Sequence, residues 1–213
     1  LISKINRSKI KNLRISFQMR GLWILYRSNE LIKETTQKNV ISEFFFQIAE
    51  LKKLPRSGWK IKVGLENSES VAEHSYMMSV MSMVLSDMKS LDSEKVLKMA
   101  ILHDWAESKI GDFMPDQIGY DKKSELENYA MSEILESLPE KIQNDYQNLW
   151  NEFLLRDTQE SKLVHELDKL EMALQAKIYE KEVDPERVKP FIISAVEQII
   201  DPDVKKVLMD ILK

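Results

Sequence analysis

Apolar residues recur at helical spacing along almost the whole of this chain, and that pattern constrains its fold more than any other feature. Ile41, Phe44, Phe45, Ile48, Leu51 and Leu54 form one stripe, which Pro55 ends. Leu163, Leu167, Leu170, Leu174 and Ile178 form another. Only five glycines and six prolines occur in 213 residues, so there are few places to break a helix or turn a hairpin. No pair of segments alternates with the strand period of two. The expected fold is all-α: one helical bundle over residues 40–213, large enough to bury a full core, preceded by a basic appendage at 1–39.

The appendage carries Lys4, Arg7, Lys9, Lys11, Arg14, Arg20 and Arg27 before the first acidic residue, Glu30. Gly21-Leu22-Trp23-Ile24-Leu25-Tyr26 adds a short apolar patch. The plain reading is a poorly ordered tail, or sequence upstream of the natural start, Met19 being the first methionine. The competing readings are an amphipathic anchor and a nucleic-acid arm. The net charge of −4 argues against bulk nucleic-acid binding, and no apolar run approaches the roughly 20 residues that span a membrane. Cysteine is absent. Disulfides and thiolate zinc sites are therefore excluded, any metal must sit on histidine and carboxylate, and a cytoplasmic location is expected.

The elements read in order as follows. A loop runs from Pro55-Arg56-Ser57-Gly58-Trp59 through Gly64-Leu65-Glu66-Asn67. Ser70-Val71-Ala72-Glu73 is a capping box, opening a helix to about residue 88 whose five methionines read as core packing. Ser93 or Asp92 caps the next helix, expected over 94–107, and a loop with Gly111, Asp112 and Pro115 follows. Acidic helices are expected at 122–137 and 139–155. Asp157-Thr158-Gln159-Glu160 reads as a second capping box opening a long helix. Asp184-Pro185, a cap with proline at the first helical position, starts a helix to about residue 200. A short helix covers 204–212.

The chain has three histidines, His74, His103 and His165. His74 stands one turn into its helix and His103 near the end of the next. Antiparallel neighbours joined by a short turn bring those two points together, so both imidazoles can reach one ion, with Asp104 as an anionic ligand beside them. On a continuous helix Asp104 and Glu107 share a face, three residues apart. Asp168 is the best fourth ligand, because it interrupts an apolar stripe and an inward carboxylate is costly unless it is paired or metal-bound. The plain alternative pairs Asp168 with Lys169 or Arg187, and His165 is the substitute ligand.

The local strings around these residues carry a family resemblance. Pro55-Arg56-Ser57-Gly58-Trp59, Glu69-Ser70-Val71-Ala72-Glu73-His74-Ser75, Leu102-His103-Asp104-Trp105-Ala106-Glu107, Gly111-Asp112 and Leu167-Asp168-Lys169-Leu170-Glu171-Met172 resemble, in order, segments of the HD-domain 5′-deoxynucleotidases. These are metal-dependent phosphohydrolases, and the likeness spans about residues 40–181. It implies a helical bundle, usually a homodimer, with a divalent ion on His74, His103, Asp104 and Asp168. It implies release of phosphate from deoxyribonucleoside 5′-monophosphates, with Glu107 as acid/base residue, Arg56 as phosphate contact and Trp59 as a wall for the nucleoside. Asp112 would contact the sugar or ligate an additional metal. One departure stands out: Ser57 and Gly58 separate Arg56 from Trp59, which are adjacent in some relatives. Read from the residues alone, Arg56 is equally an exposed loop cation, Trp59 a core aromatic, and Asp112 a turn residue after Gly111.

The chemistry agrees with the resemblance. Phosphomonoester hydrolysis needs an activated water and neutralisation of charge on the phosphoryl oxygens, and a divalent ion supplies both. Two imidazoles and two carboxylates accept Mn²⁺, Co²⁺, Mg²⁺, Zn²⁺ or Fe²⁺ without selecting among them. Arginine offers phosphate a planar fork of two parallel hydrogen bonds. Competing readings are a phosphodiesterase or nucleoside triphosphate hydrolase on the same scaffold, and a non-catalytic nucleotide or nucleic-acid module. Consecutive His-His ligands, expected of some dinuclear relatives, are absent.

Overall fold

A computed structural model describes residues 41–213. The expectations for the basic appendage at 1–39 lie outside the described residues. The chain divides into a unit ending at Glu43 and a compact unit, Phe44–Lys213, to which the following applies. Within it, helix α1 covers 44–49 and tightens into a 3₁₀ turn at Glu50–Lys52. Then follow α2 (Val71–Met88), α3 (Ser93–Leu102), α4 (Glu107–Ile110), α5 (Pro115–Ile118) and α6 (Tyr120–Glu136). The chain continues through α7 (Glu140–Leu155), α8 (Gln159–Tyr179), α9 (Pro185–Gln198) and α10 (Pro202–Ile211). There is no strand among the described residues.

Helix α8 is the axis of the bundle, packing against α2, α3, α7, α9 and α10. Leu163, Val164, Leu167, Leu170 and Ala173 of α8 meet Met78 and Leu85 of α2, Val96, Met99 and Ala100 of α3, and Val204 and Leu208 of α10 in one core. Burying each of the larger aliphatic side chains contributes about 1.5–3 kcal/mol. Because α8 has neighbours on several sides, its buried positions do not follow a single stripe. Leu174 is half-buried and Ile178 is exposed, whereas Glu171, Ala173 and Ala176 are buried. Two further apolar expectations are corrected in the same way. Phe44 is buried while Phe45 faces solvent, and of the five methionines on α2 only Met78 is fully buried, with Met83 and Met88 exposed.

The helix starts are made by side chains. Ser70 accepts from Glu73 N–H and the Glu73 carboxylate accepts from Ser70 N–H, completing the expected capping box. Asp92, of the two candidates, caps α3. At α8 the cap is Thr158, which accepts from Ser161 N–H, so the box expected from Asp157 to Glu160 does not form. Asp184-Pro185 opens α9 as expected, and Asp201-Pro202 repeats the device at α10.

Two local departures shape the functional end of the bundle. Helix α3 stops at Leu102, not near Glu107, and the chain passes through tight turns in which Trp105 N–H donates to Leu102 and Glu107 N–H to Asp104. Asp104 and Glu107 are thus joined by an i→i+3 turn, not by a continuous α-helix. Phe44 of α1 packs edge-on against Trp105 (5.2 Å between centroids), and Gln47 donates to the Ser108 carbonyl, closing over this turn. The stretch expected to be loop contains one π-helical turn, Trp59–Val63, ended by Gly64 at φ 81°, a left-handed conformation that glycine adopts without strain.

An isolated antiparallel bridge joins Pro55 to Ser70. Arg56 N–H donates to Glu69 O and Val71 N–H to Leu54 O, each at 2.9 Å, which staples the Arg56 loop to the start of α2. Ser70→Ala should cost about 1 kcal/mol of stability in urea denaturation, the usual loss on removing such a cap. An unchanged midpoint would show that the bridge, not the cap, sets this helix start.

Candidate metal centre

The sequence separates His74, His103, Asp104 and Asp168 widely, and the bundle brings them to one point. The first turn of α2 lies beside the end of α3, and α8 crosses behind both. Donor atoms of His74, His103 and Asp168 all lie within 4.8 Å of one another. Asp104 Oδ2 joins them at 3.1 Å from His103 Nε2 and 3.8 Å from His74 Nε2, and Asp168 Oδ1 is 3.4 Å from His74 Nε2. The plain alternative for Asp168 holds as well: its other oxygen accepts from Lys169 at 2.8 Å.

Both imidazoles are oriented from behind. His74 Nδ1 lies 2.5 Å from Glu171 Oε2, and His103 Nδ1 donates to the Ala100 carbonyl at 2.8 Å. Each ring thus turns Nε2 toward the cluster. Both Nε2 atoms are buried with no hydrogen-bond partner. A buried polar atom without a partner costs about 1–3 kcal/mol, and two of them facing the same carboxylates form a donor set that fits a divalent cation. His165, the substitute ligand, has other work. Its Nε2 donates to the Phe153 carbonyl at 2.8 Å, its ring stacks on Phe153, and burial lowers it to about 4.

Charge is concentrated here. Arg56 is mostly buried, with Nη1 3.3 Å from Asp104 Oδ2 and Nη2 3.8 Å from Asp168 Oδ1. Burial alone would raise the Asp104 carboxyl, but His103, Arg56 and His74 hold it well below the usual carboxylate range. Asp168 is likewise held low against burial by Lys169, His74 and Arg56. Against burial and Arg56, the Asp168 and Glu171 carboxylates lift His74 to about 9.

Glu107 behaves in the opposite way. It is 3% exposed, its Oε2 has no hydrogen-bond partner, and Lys123 Nζ on α6 stands 3.8 Å from Oε1. Burial first, then Asp104 and Asp112, push its carboxyl well above the ordinary value. A solvent-exposed helix-end carboxylate is therefore excluded for Glu107.

The remaining sequence candidates lie around this cluster in different capacities. Asp112 tethers the Arg56 loop: its Oδ2 accepts from Ser57 N–H at 2.7 Å, and its carbonyl accepts from Ser57 Oγ at 2.6 Å. Trp59 is only 2% exposed, packed against Tyr179 and Phe191, with Nε1 donating to Glu69 at 2.7 Å. A ring so enclosed has no free face against which a nucleoside could lie, and its place matches a core aromatic beneath the loop. Three residues at the site went unnoticed in the sequence: Glu171, Glu69 and Lys123. Glu171 stands three residues after Asp168, a spacing that signals a shared helix face. Glu69 and Lys123 had no such signal. Burial and Glu171 together push Glu69 up to about 7.

A histidine, an adjacent His-Asp pair and a distant aspartate around one buried point define a class, and residues 48–207 match the HD domain family. The chain belongs to that family and is a hydrolase of it. It is 35% identical over 170 residues to the mouse protein named 5′-deoxynucleotidase HDDC2, covering 79% of this chain and 84% of that one. It is 41% identical over 148 residues to the Dictyostelium discoideum protein of the same name, covering 66% and 77%. Among solved structures, a conserved hypothetical protein from Pyrococcus furiosus superposes with a TM-score of 0.67 at 30% identity, over 80% of this chain and 98% of that one. No helix among the described residues is long and apolar enough to cross a membrane.

Trp59→Phe keeps the ring packing and removes only the N–H given to Glu69. It should cost about 1–2 kcal/mol by leaving a largely buried acceptor short of a partner. Chemical denaturation at neutral pH measures this, and an unaltered stability would mean that Glu69 finds water or another donor.

Proposed function

We propose that this chain removes phosphate from deoxyribonucleoside 5′-monophosphates, using a divalent ion held by His74, His103, Asp104 and Asp168. The observation that carries the reading is the convergence of two buried, unpartnered imidazole nitrogens on two carboxylates, with Arg56 on one side and Glu107 on the other. The substrate class is supported by the relatives named 5′-deoxynucleotidases. The donor set, without thiolate, takes Mn²⁺, Co²⁺, Mg²⁺, Zn²⁺ or Fe²⁺. When bound, the ion supplies Lewis acidity toward a phosphoryl oxygen and lowers the pKa of water.

The chain's own groups divide the remaining work. Arg56 turns its guanidinium from Asp104 and Asp168 toward the phosphate, meeting two of its oxygens with parallel hydrogen bonds. Asp112 holds the loop that carries Arg56, through Ser57. Glu107, its carboxyl pushed well above the ordinary value by burial and two neighbouring aspartates, gives a proton to the leaving 5′ oxygen as the P–O bond breaks and water adds to phosphorus, and regains one from the added water. Trp59 supports the loop from beneath. A homodimer and a cytoplasmic location belong to the same reading. Tyr76, Met83, Val84 and Met88 give α2 an exposed apolar side that suits a second copy.

Phosphate release from dAMP should exceed release from 3′-monophosphates and triphosphates, stop on chelation, and be absent with metal binding in His74→Ala. Faster turnover of a triphosphate would overturn the substrate assignment. Glu107→Gln keeps shape and hydrogen bonding but cannot pass a proton. It should fold normally, retain metal, and lower kcat by about 10²-fold or more. Full activity would remove Glu107 from the chemistry, and loss of metal would make it a ligand.

A further inference from the structure

Behind His74, on the side away from the cluster, lies a second set of carboxylates. Glu171 is 1% exposed and places Oε2 2.5 Å from His74 Nδ1, while His74 itself is fully buried. Carboxylate oxygens of Glu69 and Glu171 and a ring nitrogen of His74 lie within 4.8 Å of one another. Glu69 is fixed in turn. Its carboxylate accepts from Trp59 Nε1 and its backbone N–H donates to the Tyr179 hydroxyl, both at 2.7 Å. Glu171 and Tyr179 belong to the same helix, α8, which also carries Asp168.

Nothing in the phosphohydrolase chemistry above uses Glu171, yet burying a carboxylate beside another carboxylate is expensive. A return is needed, and the geometry identifies it. An ionised carboxylate only accepts hydrogen bonds, so the proton in the contact lies on His74 Nδ1, and the lone pair for a metal must lie on Nε2. We propose that Glu171 is a positioning residue: by its hydrogen bond to Nδ1 it holds His74 in the tautomer and rotation that aim Nε2 at the metal. The proposal rests on the metal reading of the cluster. His103 is oriented differently, by a main-chain carbonyl, so the two imidazoles depend on separate anchors, and only His74 depends on a side chain that mutation can remove.

Co²⁺ titration of the full-length chain by calorimetry tests this, with metal-free melting temperature and circular dichroism recorded alongside. Glu171→Asp keeps the charge but withdraws the oxygen by one methylene. Glu171→Gln keeps the reach and an acceptor oxygen but loses the charge. Glu171→Met fills the space with no acceptor. Positioning predicts that Asp and Met raise the Co²⁺ Kd by about 10-fold or more, the usual cost of losing such a partner, while Gln stays within about threefold on the same scale. Should Asp not fold, Met carries the same expectation. A lower metal-free melting temperature with unchanged Kd in Asp and Met would make Glu171 a purely structural residue and overturn the proposal. A larger loss in Gln than in Asp would overturn it too, since charge and not placement would then be what His74 requires. Failure of the metal reading shows separately: wild type would bind no Co²⁺, or His74→Ala would bind it as well as wild type, and the proposal would fall with it.

Discussion

The interior charge on α8 is the constraint to which the rest of the bundle answers. A helix that fills the centre of an apolar core also carries Asp168 and Glu171 one turn apart, one half-buried and the other fully so. Isolated, each would shed its charge or disrupt the fold. Here each is matched from a different direction. Lys169, His74 and Arg56 act on Asp168, and the His74 ring stands between the two carboxylates, one nitrogen toward each. The helices that deliver these partners must end where they do. That requirement fixes α2 to begin three residues before His74 and α3 to stop just before His103.

The same electrostatics separate two kinds of acid at one site. Asp104 and Asp168 have cations within reach and are held below the usual carboxylate range, whereas Glu107 has only Lys123 at ion-pair range and is pushed well above it. Groups whose surroundings push their proton affinities apart are what a hydrolase needs when one carboxylate must hold a cation and another must donate. Burial beside Asp104 and Asp112 produces this difference.

Much of this was legible in the chain. The all-α class followed from periodicity, and the caps at Ser70, Asp92 and Asp184 followed from side-chain chemistry that acts within three or four residues. His74, His103, Asp104 and Asp168 were legible because rare or misplaced residue types mark them: few histidines, and an acid in an apolar stripe. What escaped was decided by neighbours distant in sequence. Nothing between Leu102 and Glu107 breaks a helix, so the early stop of α3 left no local sign. At Asp157-Thr158 two good capping residues adjoin, and the choice fell to Thr158, whose hydroxyl also reaches Glu152 on α7. Glu69, Lys123 and Glu171 look like any surface acid or base until the bundle closes around them. Trp59 could be read as pocket wall or core, and only the rings of Tyr179 and Phe191 packed against it distinguish the two.

The Pro55–Ser70 bridge makes part of this site local in the chain. It closes a loop of about fifteen residues, a cheap closure in chain entropy, and it unites Arg56 with His74 before any distant segment is needed. His103 and Asp104 follow from a neighbouring helix hairpin. Asp168 and Glu171 arrive only when α8, more than sixty residues further along, inserts into the core. The centre thus has a local half, drawn from neighbouring elements, and a long-range half brought by α8. On the metal reading proposed above, tight binding requires both halves at once, because His74, His103 and Asp104 alone lack the carboxylate that α8 contributes.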